Sequence, residues 1–217
     1  VTTQPDPAGG DPAPRRRIAE IAARMAAPMT HGDSFGTGPL AELRRLDPDG
    51  ALAEPALHRL LARHTSEAEL REIGLPALAL VIHAAALAAP DHLSFPRRDD
   101  EPAEENAQAT VWAERSRSAQ LQFGRALFEA GFSERRFTNL LDATMDDLRI
   151  ALPRAVRFLV AAGERLPILA VADLVASART IEDDRAQSIR HRIARGYYRA
   201  EAKAEAAPNS TSTGDAA

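Results

Sequence analysis

The residues able to do chemistry in this chain are almost all arginines. Its 217 residues include 27 that are basic, and all but Lys203 are arginine. A guanidinium stays charged and presents a planar fork of donors that fits phosphate oxygens. The chemistry on offer is therefore anion binding. Groups for bond-breaking are poorly arranged. With no cysteine there is no thiolate, disulfide or zinc–thiolate site. His31, His58, His64, His83, His92 and His191 never recur at the four-residue spacing that puts two ligands on one helical turn. His83 lies in a long apolar run, where a hydrogen-bonded core histidine is expected rather than a ligand. Asp146-Asp147 and Asp183-Asp184 are adjacent pairs, whose side chains diverge by about 100° on a helix. Both pairs sit early in predicted helices, where acids complement the dipole. Ser133, Ser177 and Ser188 have no evident base. Gly32, Gly36 and Gly38 invite a phosphate-cradle reading, but no strand precedes them and no Gly-Lys-Ser follows. The expectation is a protein that is not an enzyme and has no cofactor and no metal.

Charge is unevenly spread. The net charge is −4. Residues 1–118 carry 13 arginines against 18 acids, whereas residues 119–200 carry 13 against 10, and the tail from 201 is acidic again. The sharpest pattern is near the end. Arg185, Arg192, Arg195 and Arg199 fall on one helical stripe, with no acid between the first and the last. Ile189, Ile193 and Tyr197, at i, i+4 and i+8, mark the core side of the same helix. Such a stripe is usually a solvated face; one this free of acids is the footprint of a polyanion partner.

The elements that must position these arginines are helical. The stretch from Gln120 to Ala143 predicts a tight hairpin. Phe123, Leu127 and Phe128 share a face; Gly131 supplies the C′ residue; Ser133 is the N-cap of a second helix carrying Phe137, Leu140 and Leu141. Arg125, Arg135 and Arg136 lie just outside its apolar face. Upstream, Arg15-Arg16-Arg17 opens a helix with Ile18, Ile21 and Met25 on one side. Pro28 to Gly38 is a loop. Leu40 to Leu46 is a short helix ending in Arg44 and Arg45, where a helix-end role and a phosphate contact are equally expected. Asp47 to Gly50 is a turn. Leu57, Leu60 and Leu61 mark a helix. Another starts at Leu75-Pro76 and is apolar nearly all round, hence buried. Downstream, Thr144 to Asp147 is a capping box opening a helix that Pro153 should kink or split. Leu166-Pro167 opens the next, and Thr180 to Asp183 caps the last.

No segment alternates with period two, so the fold class expected is all-α. Its organisation is read as a disordered tail (1–14), an N-terminal helical bundle (15–90), a polar linker (91–117), a C-terminal helical bundle (118–206) and a second disordered tail (207–217). The linker reading rests on Pro90, Pro96 and Pro102 with their clustered acids, and allows a short helix around Val111-Trp112. Trp112 is expected to pack rather than to stack a base. No run reaches the ~18 apolar residues of a membrane span, and the first residues lack a signal peptide's apolar core. A cytoplasmic place with no membrane contact is expected.

Three ordered motifs resemble one family. They are Gly38-Pro39-Leu40-Ala41-Glu42-Leu43-Arg44-Arg45; Gly124-Arg125-Ala126-Leu127 with Ser133-Glu134-Arg135-Arg136-Phe137 and Leu140-Leu141-Asp142-Ala143; and Arg190 to Tyr198. Together they look like CasB, the small helical subunit of the type I-E CRISPR surveillance complex Cascade, over about residues 34–200. The resemblance implies a non-catalytic subunit with a two-part helical architecture. It would pair with a second copy, sit against other Cascade subunits, and hold CRISPR RNA paired to target DNA together with the displaced strand. Sequence reading would be left to base pairing. Arg44, Arg45, Arg125, Arg135 and Arg136 match motif positions, and Arg185, Arg192 and Arg195 of the last helix match more loosely. These eight are the expected nucleic-acid contacts. Asp142 departs from the pattern, since many relatives carry a basic residue there. The alternative is a helical protein–protein adaptor whose arginines only balance its acids.

Overall fold

A computed structural model describes residues 13–30, 35–95, 105–179 and 183–206. Residues 1–12 of the first expected tail (1–14) and all of the second (207–217) lie outside the described residues, as do Gly32 of the expected loop, residues 96–104 of the expected linker and Thr180-Ile181-Glu182 of the last capping box; Ala13 and Pro14 belong to the first helix. Among the described residues the chain forms ten α-helices: α1 (Ala13–Ala26), α2 (Thr37–Arg44), α3 (Pro55–His64), α4 (Glu67–Ile73), α5 (Leu75–Ala88), α6 (Glu105–Glu129), α7 (Glu134–Asp142), α8 (Met145–Ala161), α9 (Ile168–Ala178) and α10 (Asp184–Ala206). The fold is all-α, as expected. Two strands of two residues each add a small exception: β1 (Leu93–Ser94) and β2 (Leu166–Pro167) pair in parallel, Leu93 opposite Leu166. Leu166-Pro167 thus precedes the helix it was expected to open.

Two apolar helices make the centre. Every residue of α9 is buried, and so is nearly all of α5 beyond its first turn. Amphipathic helices surround them. α1 lies mainly along α9 with Ile18, Ile21 and Met25 inward; α6 and α10 also flank α9; α8 covers α5. One continuous cluster of buried side chains runs from Ile18 to Tyr197. The expected N-terminal and C-terminal bundles therefore share a core. The expected linker differs most. Residues 105–117 are the first half of α6, with Trp112 half-buried against the core and the Arg115 guanidinium 5.8 Å from its ring centre. The physical reason is that no proline or glycine occurs between Pro102 and Gly124, so the acids there decorate a helix rather than prevent one.

Arginine and histidine side chains tie the halves together. Arg179 donates to the carbonyl oxygens of Ile73 and Glu72 and so closes the C-terminal end of α4. Arg149 pairs with Asp49 at 3.1 Å, fastening α8 to the turn from Asp47 to Gly50. His92 Nδ1 donates to the Glu164 carbonyl at 3.0 Å beside the strand pair. Buried His83 donates from Nδ1 to the Leu43 carbonyl at 2.9 Å, the core role expected of it, and burial lowers its pKa.

The hairpin forms as its sequence predicts. Gly131 takes φ +80°, Gly131 N donates to the Phe128 carbonyl at 2.8 Å, and Phe132 N to the Leu127 carbonyl at 2.9 Å. These are the paired bonds that satisfy a helix C-terminus. Ser133 occupies the N-cap of α7, but its hydroxyl makes no cap bond. Thr144 does cap α8, accepting from Asp147 N, and α8 runs unbroken through Pro153. Asp183 opens α10, its Oδ1 accepting from Arg185 N at 2.9 Å.

The tightest packing is between α6 and α10. A Cβ on Gly124 would overlap the Ile193 carbonyl oxygen, and one on Gly196 would overlap that of Leu121. Only glycine at both positions lets the two backbones touch. Tyr197 then reaches the hairpin: its ring stacks on Phe137 at 4.1 Å, and its hydroxyl donates to the Phe132 carbonyl at 2.7 Å. The hairpin and the last helix are thereby locked into one unit.

Candidate nucleic-acid interface

α10 presents its two expected faces. Ile189, Ile193 and Tyr197 are buried, while Arg185, Arg195 and Arg199 are exposed and Arg192 is half-buried. The glycine-close contact with α6 brings a further arginine to this stripe. Partial burial lowers the pKa of Arg192, and the charges of Arg117 and Arg185 lower it further against the pull of Asp173. Among the described residues no ion pair engages Arg117, Arg185, Arg192, Arg195 or Arg199. Like charges gathered with no ion pair to neutralise them are a standing site for an anion. Sequence reading missed Arg117 because it fell in the presumed linker; the helix that carries it was the missing signal.

Beneath this shoulder lies a buried polar chain. Arg192 Nε donates to Gln120 Oε1 at 2.7 Å, and Gln120 Nε2 donates to Asp173 Oδ2, also at 2.7 Å. Gln120 and Asp173 are 2% and 6% exposed. Burial pushes the Asp173 carboxyl up to about 6, against the pull of hydrogen bonds from Gln120 and Ser116 and of the charges of Arg185 and Arg192. No sequence rule marked Asp173, because it stands alone in an apolar helix.

The other expected contacts are placed differently from one another. Arg125 is exposed and pairs with Glu129 one turn on, at 2.9 Å. Arg135 and Arg136 are exposed in the first turn of α7, with no ion pair among the described residues. Arg44 does not close the helix that carries it. It donates from Nε to the Ala86 carbonyl at 2.9 Å and from its terminal nitrogen to that of Ala89, so it closes the end of α5 rather than of its own helix. Arg45 points elsewhere, into an open pocket of about 300 Å³ that Arg149, Arg154 and Arg157 also line, with Asp47 and His83 at its wall. Arg154 and Arg157, a turn apart on the exposed side of α8, are a second group that sequence reading passed over. Asp142 is exposed at the end of α7, and its charge favours the cation of buried Arg190, whose pKa burial lowers. An acid there compensates a buried guanidinium that donates to the Ala143 carbonyl at 3.5 Å.

Among the described residues no group of three or more histidine, aspartate or glutamate side chains is placed to hold a metal ion. No single described helix is long and apolar enough to cross a membrane. What the shoulder of α6 and α10 offers is cation without an ion-paired anion among the described residues, set on helices.

A family model described as CRISPR-associated protein Cse2 matches residues 39–198. That span holds all three motifs of the sequence, except that Gly38 stands one residue before it. No curated protein matches, and no solved structure matches.

Proposed function

The chain belongs to the CRISPR-associated protein Cse2 family and so is a subunit of a type I-E Cascade in CRISPR defence; from that premise we propose that it holds the guide–target hybrid and the displaced DNA strand through arginine–phosphate contacts. It has no part in bond-breaking; it stabilises the opened duplex while base pairing does the sequence reading. A cytoplasmic place and a second copy of itself beside the other Cascade subunits belong to the same reading. The observation that carries it is the shoulder of Arg117, Arg185, Arg192, Arg195 and Arg199 on α6 and α10, which no ion pair engages among the described residues. These side chains would meet any phosphate backbone alike, as a sequence-blind clamp requires. Arg125, Arg135 and Arg136 on the hairpin, and Arg45 with its neighbours on α8, extend the surface.

The test is retention of target duplex by complexes reconstituted with Arg185→Glu/Arg195→Glu, followed as salt rises. Both side chains are exposed, so thermal stability should change little. Affinity should fall at low salt, and the slope of log K against log salt should lessen by about 0.7 to 0.9 for each phosphate no longer neutralised. A variant that folds and holds DNA with the parent's affinity and slope would leave the adaptor reading standing instead.

A further inference from the structure

The buried chain under the shoulder has no role in packing that an apolar pair would not fill better. A carboxylate held at 6% exposure is costly, and replacing buried polar groups with apolar ones is often neutral or stabilising. What the chain does is fix directions. An ionised carboxylate only accepts and a guanidinium only donates. The Gln120 amide between them can therefore sit one way only, NH2 toward Asp173 and oxygen toward Arg192. Turning it over would set oxygen against oxygen and N–H against N–H. Arg192 is gripped at Nε, which leaves its terminal nitrogens without a protein partner among the described residues. These are the two nitrogens that bind phosphate side by side.

We propose that Gln120 and Asp173 are positioning residues that hold Arg192 by its Nε and present its terminal nitrogens as a pre-set phosphate clamp between Arg117 and Arg185. The inference rests on the proposed phosphate role of Arg192. It adds that this arginine, unlike those around it, meets the nucleic acid already ordered. An arginine free in solvent loses rotamer freedom on binding, worth roughly 0.5–1.5 kcal/mol for a side chain of this kind. Arg192 has lost it on folding. The helix crossing at Gly124 and Gly196 serves the same end, because it sets the spacing of α6 and α10 one turn away from Gln120 and Arg192.

The experiment compares Gln120→Met, Arg192→Ala and the double variant in the reconstituted complex, with target duplex as the probe. Methionine keeps the volume of glutamine and removes both hydrogen bonds. Gln120→Met should weaken binding about threefold to tenfold, the range set by one immobilised side chain, and should leave the salt slope unchanged because no charge is removed. Arg192→Ala should weaken binding and also lower the slope by about 0.7 to 0.9. The double variant should be no worse than Arg192→Ala alone, as residues acting through one interaction are non-additive. If Gln120→Met weakens binding as much in the Arg192→Ala background as in the parent, or not at all, the positioning role is wrong. If Arg192→Ala keeps the parent's affinity and slope, it is the phosphate role of Arg192 that fails. A fold defect in Gln120→Met would act whether or not Arg192 is present, so the double variant separates it from positioning.

Discussion

α6 and α10 meet twice within one helical turn, in opposite ways. At Gly124 and Gly196 they meet backbone to backbone, with no side chain between. At Gln120 and Arg192 they meet through a buried hydrogen-bonded chain that ends in a guanidinium with no ion pair among the described residues. The first contact fixes how far apart the helices are. It is steric, short-range and indifferent to salt and pH. The second fixes which way one arginine points, and its strength depends on the charge of Asp173. A helix pair that only had to be stable would need the first alone. The second is intelligible when the outer face of the pair has something to hold.

The largest expected effect comes from breaking the first contact. Gly196→Ala should raise intrinsic helix propensity by about 1 kcal/mol. In this fold it should instead destabilise, by on the order of 3 kcal/mol, because the new Cβ falls on the backbone of Leu121 and backbone cannot move aside as a side chain can. The same change at Gly124 should behave alike, and thermal midpoints would report both. A stabilised Gly196→Ala would mean the helices are not in backbone contact.

That contrast also separates what the sequence revealed from what it concealed. The hairpin was legible because its signals are local: Gly131 at a C′ position, Ser133 at an N-cap, and Phe137, Leu140 and Leu141 at helical spacing. The family motifs were legible for the same reason, although their arginines drew attention away from Gly124, Gly196 and Tyr197, which do the packing. Tyr197 was assigned to the core side correctly, but its hydroxyl bond to Phe132 depends on two segments far apart in sequence. The shared core was hidden because α1 packs on α9, a pairing no periodicity announces. α6 was cut short because Pro102 and its acids resemble a linker, while its helical content, an unbroken run without glycine or proline, is a weaker mark. Arg44 shows the limit at a single residue. Its type and position suggested a helix end, and the end it closes belongs to another helix.

The second contact can be sharpened by removing its charge. The Asp173 pKa stands at about 6 in the fold against 3.8 for the ordinary value. A raised carboxyl pKa means that the folded state holds the proton more tightly. The stabilisation is complete below about pH 4 and is lost as pH rises through about 6. By linkage this shift corresponds to about 3 kcal/mol of stability lost between those limits. Asp173→Asn does not titrate, so its stability relative to the parent should improve as pH rises from about 4 to about 7. Comparing the two proteins at each pH cancels the other titrating groups. A difference that stays flat over that range would show that burial does not raise the proton affinity of this carboxyl, and that it stays ionised beneath Arg192 throughout.

The smallest effect is expected at the hairpin, where arginines have no such seat. Arg125 is 66% exposed and, among the described residues, pairs only with Glu129 on its own helix, an i,i+4 pair worth about 0.3–0.5 kcal/mol. Arg135 and Arg136 are exposed on the first turn of α7. Replacing all three with alanine should therefore move the thermal midpoint hardly at all. Their share in binding should also be smaller per residue than that of Arg192. Arg135 and Arg136 must give up rotamer freedom when they meet a phosphate, and Arg125 is held at Nε only by a solvent-exposed Glu129, whereas Arg192 is held from a buried seat. In reconstituted complexes the drop in affinity from Arg125→Ala/Arg135→Ala/Arg136→Ala, divided by three, should fall below that from Arg192→Ala alone at the same salt. The salt slope is expected to behave differently, since a mobile cation that touches phosphate releases counterions as a fixed one does. The triple variant should thus lose more slope than Arg192→Ala while losing less affinity per arginine. Equal affinity per arginine would show that a seat beneath the guanidinium makes no difference to the clamp. An unfolded triple variant would show that the hairpin arginines hold the structure, and the comparison between seated and unseated arginine would then have to be drawn elsewhere, between Arg192 and Arg195 on α10 itself.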